Sequence, residues 1–108
     1  MDTEHSHDDL LFVLRGAGVG MASVKTPRGS VNGNALIQKG GRFHISVYTL
    51  EDPTVSSGKR YRRVLERWAD TPEETARVLR RSVLRHARIR KVLHEAQRRI
   101  YTTDSVLG

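Results

Sequence analysis

A helix start at Thr71 is the feature of this sequence that most constrains its fold. Thr71 is a favourable N-cap, Pro72 suits the first helical position, and Glu74 stands three residues after the cap, which completes a capping box. Glu73 adds negative charge to the first turn. Nothing breaks the helical propensity before Tyr101-Thr102-Thr103. The pattern therefore predicts one helix of about thirty residues, or two helices in succession.

The apolar residues of this helix change face along its length. At about 100° per residue, the first half forms a narrow apolar arc of Ala76, Leu79, Val83 and Ala87. The later apolar residues lie on nearly the opposite side, and they are Ile89, Val92, Leu93, Ala96 and Ile100, joined by Val78. A small sheet cannot cover both arcs. Three arrangements stay open: a break near residues 86–88, a protein partner or second copy on the second arc, or a return of the last two turns onto Leu10–Leu14.

Three segments before the helix have the pattern of antiparallel strands. Arg42–Leu50 alternates, with Phe43, Ile45 and Val47 on one face and Arg42, His44, Ser46 and Tyr48 on the other. Gly40-Gly41 predicts a turn that joins it to a strand over Asn34–Lys39. A third strand is predicted over Lys59–Trp68, where the adjacent Val64 and Leu65 indicate a bulge or an edge position.

Residues 1–33 are predicted to be an N-terminal extension. Within it, Asp8–Arg15 predicts a short helix, and the glycines from Gly16 to Gly33 indicate a flexible linker. Residues 34–101 would then form a β-β-β-α domain, and residues 102–108 a tail. The fold class is α+β, a three-stranded antiparallel sheet packed on one long C-terminal helix with a flexible N-terminal extension. Trp68 is predicted to fill the core against Leu79.

Positive charge is concentrated in the second half of the chain. The formal net charge is +7, and residues 59–99 contain fourteen basic and five acidic residues. Such asymmetry favours a polyanionic partner. Arginine offers bidentate donors to phosphates, and a strand face of mixed donors and acceptors suits base edges. The predicted nucleic-acid contacts are Arg42, His44, Ser46, Tyr48, Lys59, Arg60, Arg62, Arg63, Arg77, Arg81, Arg85 and Arg88. A solvated helix face with ion pairs is the alternative for the last four.

Several classes of function are not indicated. The chain has no cysteine, which excludes disulfides and thiolate sites. No triad, carboxylate pair or ligand cluster stands out, so we expect no enzymatic activity, metal or cofactor, and no small-molecule ligand. No apolar run is long enough for a membrane span. These features predict a cytoplasmic protein of a bacterial host cell, or a virion-associated one.

Four segments together resemble the N-terminal arm-type DNA-binding domain of phage and transposon tyrosine recombinases. They are Ala35–Val47, Asp52-Pro53, Gly58–Arg63 and Trp68–Ala76. The resemblance implies a three-stranded sheet that is backed by one helix and inserted into the major groove. Two positions depart from it, since Phe43 stands where the family usually has Trp and Trp68 where it usually has Phe. We expect a stand-alone module without the recombinase catalytic domain.

The leading expectation is therefore a non-enzymatic protein of phage or mobile-element origin that binds double-stranded DNA. The alternative is a small viral protein-interaction module, either a virion assembly component or an inhibitor of a host nucleoprotein complex. It would use the second apolar arc, Ile89, Val92, Leu93, Ala96 and Ile100, to bind a protein partner or a second copy. A double-stranded RNA-binding fold is a weaker third candidate, because Glu73 and Glu74 stand at the helix start where that fold is expected to have basic residues.

Overall fold

The protein has an antiparallel sheet with helices on one face. The computed structural model describes residues 7–27, 29–50 and 61–107, and for residues 97–107 only the backbone. The elements are α1 (His7–Ala17), β1 (Val19–Thr26), β2 (Gly29–Ile37), β3 (Phe43–Leu50), β4 (Tyr61–Ala69) and α2 (Pro72–Leu107). The strands form one sheet in the order β1-β2-β3-β4. The α+β class, the antiparallel sheet and the long C-terminal helix are confirmed, but the sheet has four strands rather than three.

The capping box starts α2 as predicted. The Glu74 N–H donates to the Thr71 hydroxyl at 3.1 Å, and the helix then continues for 36 residues to Leu107. The alternative of a break near residues 86–88 is therefore excluded. The predicted tail over residues 102–108 is wrong for residues 102–107, which extend the helix. Neither described helix contains an apolar stretch of the length and composition that crossing a membrane requires.

The predicted linker over residues 16–33 is wrong, because most of it is a β-hairpin. β1 and β2 pair in continuous register from Val19 opposite Leu36 to Thr26 opposite Gly29. Gly29 has φ 99°, which suits the turn between them. The segment predicted to be a flexible extension is thus half of the sheet.

Helix α1 confirms the short helix predicted over Asp8–Arg15, and it packs into the common core. Its own residues Leu10 and Leu14 are fully buried in that core. The Arg15 guanidinium binds the Glu73 carboxylate at 2.6 Å, so the end of α1 lies beside the start of α2. This hydrogen bond lowers the pKa of Glu73. The alternative in which the last two turns of α2 fold back onto Leu10–Leu14 is also excluded, because α2 is one continuous helix and α1 lies beside its first turns.

The core lies between the helices and one sheet face. Both predicted apolar sets that should fill it are buried, namely Phe43, Ile45 and Val47 of β3 and Ala76, Leu79, Val83 and Ala87 of α2. Gly33 of β2 lies directly under α2, since a Cβ there would be 2.6 Å from both Leu79 Cδ1 and Val83 Cγ2. The alternation of β3 and the first arc of α2 thus predict the core correctly.

Strand β4 is an edge strand with a bulge, as the adjacent Val64 and Leu65 predict. Val47 pairs with Leu65 and Tyr48 with Arg63, which leaves Val64 as the extra residue. The prediction that Trp68 fills the core is wrong. Trp68 pairs with His44 on the open face of the sheet and is 46% exposed, while its neighbour Ala69 takes the core position.

Candidate nucleic-acid interface

The most cationic surface of the described residues is a groove between α1 and α2. It has a volume of about 490 Å³, and it is lined by His7, Arg77, Arg80, Arg81, Leu84, Arg85 and Arg88. We call this surface the arginine groove. All four arginines of the predicted helix ridge belong to it. Arg81 and Arg85 are about 140° and 180° from the buried Ala76 on the helical wheel, so they lie on the side of α2 away from the sheet.

Within the described residues, no carboxylate is paired with the guanidinium groups of the arginine groove. Among the described residues no carboxylate lines the groove. The four ion pairs of the described part of the chain involve Arg15, Arg42, His44 and Arg63 and none of the groove arginines. The alternative of a helix face neutralised by ion pairs is therefore not what the described residues show. Five like charges close together repel one another unless an anion lies among them.

Two of the polar residues that line the arginine groove, Arg80 and His7, were not among the predicted contacts. Arg80 lies only about 40° from Ala76 on the wheel, so the pattern places it beside the core arc rather than on the ridge. Its Nε atom is buried and lacks a hydrogen-bond partner among the described residues. His7 enters the groove because α1 lies antiparallel to α2, a tertiary contact that no local signal predicts.

His86, which follows Arg85, does not add a positive charge near the groove at neutral pH. Partial burial lowers the pKa of His86, and the positive charge of Arg85 lowers it further. The charge of the arginine groove therefore comes from its guanidinium groups and not from His86.

The open face of the sheet has a different character, because the cations near β3 and β4 are paired with carboxylates. The Arg42 guanidinium binds Asp70 at 3.2 Å and lies over the Trp68 ring at 5.2 Å. The His44 ring also contacts the Trp68 ring, with the two ring centroids 4.6 Å apart and the ring planes tilted by 38°. The Glu66 carboxylate contacts His44 Nε2 at 3.1 Å and Arg63 at 2.8 Å. Two of the predicted cations thus already have carboxylate partners.

Not every residue predicted for this face is available to a ligand. Ser46 occupies an open-face position opposite Asn34 and Glu66, but it is only 2% exposed, so its side chain is covered in the free protein. A short side chain between longer neighbours is easily covered. Tyr48 lies on the same face and is half-buried opposite Arg63.

The strand cations and the helix cations do not form one surface. Arg62 pairs with Thr49, whose side chain is buried on the helix side, so Arg62 lies on that side at the β4 edge. Helix α1 packs on β1 and α2, at the other edge of the sheet. Helix α2 therefore lies between the arginine groove and Arg62, and the sheet lies between the groove and Arg63. Lys59 and Arg60 lie outside the described residues.

The second apolar arc of α2 is exposed along its described part. Ile89, Val92 and Leu93 are each about half exposed, and Ala96 is exposed. Ile100 lies on the same helix, but its side chain is outside the described residues. We call Ile89, Val92, Leu93 and Ala96 the exposed stripe.

Comparison with known proteins finds no matching family model, no matching curated protein and no matching solved structure. The function is therefore inferred from the residues of this chain alone.

Proposed function

We propose that this protein is a non-enzymatic nucleic-acid-binding module that holds the backbone of double-stranded DNA in the arginine groove. The observation that carries the proposal is the set of five guanidinium groups without a counter-charge among the described residues. The resemblance to arm-type DNA-binding domains leads to the same class of ligand. It differs in the surface, since it implies contact through the sheet.

The dimensions of the arginine groove suit a phosphate backbone. From Arg77 to Arg88 the helix rises by about 16 Å. A duplex of that length carries roughly ten phosphates on its two strands. The five arginines of the groove are therefore spaced along α2 over a length that matches several phosphates of an undeformed duplex, and a guanidinium can offer two parallel donors to a phosphate.

A bound phosphate also removes two unfavourable features of the free protein. It screens the mutual repulsion of the groove arginines. It also offers an acceptor to Arg80, whose buried Nε has no hydrogen-bond partner among the described residues. The open face offers less to a polyanion, because Arg42 and Arg63 are already held by Asp70 and Glu66. Contacts from that face to base edges would first have to break these pairs.

The test of the proposed function is a salt titration of DNA binding. Fluorescence anisotropy with a labelled duplex of about 20 base pairs should show binding at about 50 mM salt. For five phosphate contacts, the affinity should fall by roughly 500-fold between about 50 and 200 mM salt, because counterions compete for the phosphates. Absence of binding at low salt would remove the proposal, and so would binding that is insensitive to salt.

A second candidate function rests on the exposed stripe. These residues follow the last buried residue of the first arc, Ala87, and lie on a different side of α2. A protein partner, as in virion assembly or inhibition of a host nucleoprotein complex, would bury them.

For the exposed stripe we expect Leu93→Glu to reduce association without loss of stability. Leu93 is half exposed, so the free energy of unfolding should change by less than about 0.5 kcal/mol. Light scattering at about 100 µM protein should show a smaller mean mass for Leu93→Glu than for Lys91→Gln, a variant with the same change of net charge at a position off the stripe. Equal masses for both variants and the wild type would argue against an interface here.

A further inference from the structure

In the part of the chain that the structure describes, strand β1 is an edge strand with a single charge and no bulge. Within the described residues it has a neighbour on one side only, β2. Its eight residues, Val19–Thr26, contain a single charge, Lys25, and no proline. Its register with β2 is continuous and free of bulges. A long, regular edge of this kind presents backbone N–H and C=O groups to any strand that can pair with it.

The opposite edge of the same sheet shows what protection looks like. β4 carries four charged residues, Arg62, Arg63, Glu66 and Arg67, and the bulge at Val64 interrupts its pairing. Charge and bulges are the features by which proteins prevent association through edge strands. Since β4 has four charges and a bulge, whereas β1 has a single charge and no bulge, the two edges differ in their ability to pair.

Apolar side chains lie on both sides of the β1 edge. On the open face Met21 is 58% exposed and Val19 is half exposed. On the helix side, Val13 of α1 is also partly exposed. Val13 lies about 160° around α1 from Arg15, the residue that binds α2, so it lies on the flank beyond β1. A strand added to this edge would cover apolar surface above and below the sheet.

We propose that β1 pairs antiparallel with β1 of a second copy of this chain, which gives a continuous eight-stranded sheet with two-fold symmetry. The strand is complementary to itself. When the two-fold axis passes through Ala22, Lys25 lies opposite Val19 of the other copy, and when it passes through Ser23, Lys25 lies opposite Met21. Neither register brings like charges together, and both put open-face residues opposite open-face residues.

The pairing has a geometric consequence for the arginine groove. Both helices of each copy pack on the same face of the sheet, so the two grooves of a dimer would lie on one side of the eight-stranded sheet. A two-fold pair of cationic surfaces suits a two-fold symmetric duplex. The dimer itself does not depend on the proposed function, since it rests on β1 alone.

Cysteine scanning tests the pairing directly, because the chain has no cysteine of its own. Single variants Met21→Cys, Ser23→Cys and Lys25→Cys are made in the Leu93→Glu background, so that the exposed stripe does not contribute. Tyr61→Cys, at a similarly exposed position on the β4 edge, is the matched control. With the axis through Ser23, the Ser23 positions of the two copies lie directly opposite each other, with Cβ atoms about 4.5–5.5 Å apart, so that a small movement allows a disulfide. With the axis through Ala22, the two Met21 positions and the two Ser23 positions are diagonal neighbours about 7 Å apart.

Under mild oxidation we expect Met21→Cys or Ser23→Cys to form a disulfide-linked dimer at least about tenfold faster than Tyr61→Cys, with slower linking at Lys25→Cys. Non-reducing electrophoresis measures the rates. Equal rates at all four positions, or fastest linking through Tyr61→Cys, would overturn the proposal.

A non-covalent measurement gives a second, independent test. Sedimentation equilibrium at about 0.5 M salt screens the repulsion between two copies of charge +7. We expect a dimer that Met21→Lys weakens at least about tenfold and that Tyr61→Lys leaves within about twofold. A monomeric wild-type protein at about 100 µM, or equal effects of the two variants, would overturn the proposal. Circular dichroism checks that both variants are folded.

Discussion

The Arg81→Gln/Arg85→Gln variant is expected to bind duplex DNA about a hundredfold more weakly than the wild-type protein at about 0.1 M salt. Each arginine that loses a charge-assisted contact to phosphate should cost roughly tenfold in affinity. The dependence of log affinity on log salt should become less steep by about two units, because two fewer counterions are released. Fluorescence anisotropy across a salt series measures both quantities. Since both arginines are exposed, the variant should fold normally.

The matched control is Arg42→Gln/Arg63→Gln, which also removes two positive charges, but from the open face of the sheet. These arginines already bind Asp70 and Glu66. We therefore expect their removal to lower the affinity by less than about threefold, mainly through long-range electrostatics. If this variant loses more affinity than the groove variant, the sheet reads the DNA, as the resemblance implies, and the arginine groove is not the binding surface.

The parts of the fold that follow from local physics were predictable from the sequence. The capping box at Thr71 fixes a helix start through hydrogen bonds within four residues. The alternation of β3 assigns its faces without knowledge of its neighbours, and Gly40-Gly41, with φ 97° and 84°, makes the turn that precedes it. Each of these signals needs only the chain within a few residues of itself.

The linker prediction failed because glycine occurs both in flexible or turning backbone and at positions of close packing, and the sequence alone does not separate these two roles. A run of glycines usually marks a flexible or turning backbone. Here Gly20 and Gly33 are strand residues beneath helices. A Cβ on Gly20 would lie 2.6 Å from Leu10 Cδ1, and Gly33 is equally crowded by α2. The absence of a side chain at these positions allows close packing, and that requirement comes from elements distant in sequence.

Only part of the candidate site could be predicted, because the rest again depends on elements that are distant in sequence. The four ridge arginines share a face of one helix, so their spacing brings them together in any fold that keeps the helix. The expected continuity with the β4 cations depends on tertiary arrangement, and α2 and the sheet in fact separate them. The position of Trp68 likewise depends on the strand register, because a shift of one residue along β4 decides whether Trp68 or Ala69 enters the core.

Gly33→Val is expected to lower the free energy of unfolding by about 3 kcal/mol. The first added carbon alone would lie 2.6 Å from Leu79 Cδ1 and from Val83 Cγ2, so α2 must move away from the sheet or the core side chains must leave their rotamers. Urea denaturation followed by circular dichroism measures the change. Such a loss is a large share of the stability of a domain of this size.

Asn34→Val is the matched control, since it adds the same β-branched side chain at the next residue of β2, on the exposed open face. We expect it to change the free energy of unfolding by less than about 0.5 kcal/mol, because nothing there has to move. Leu79→Ala should partly rescue Gly33→Val, since removal of the Leu79 methyl groups opens the space that the valine needs. A Gly33→Val variant as stable as Asn34→Val would contradict the close contact of α2 with β2 that positions the arginine groove above the sheet.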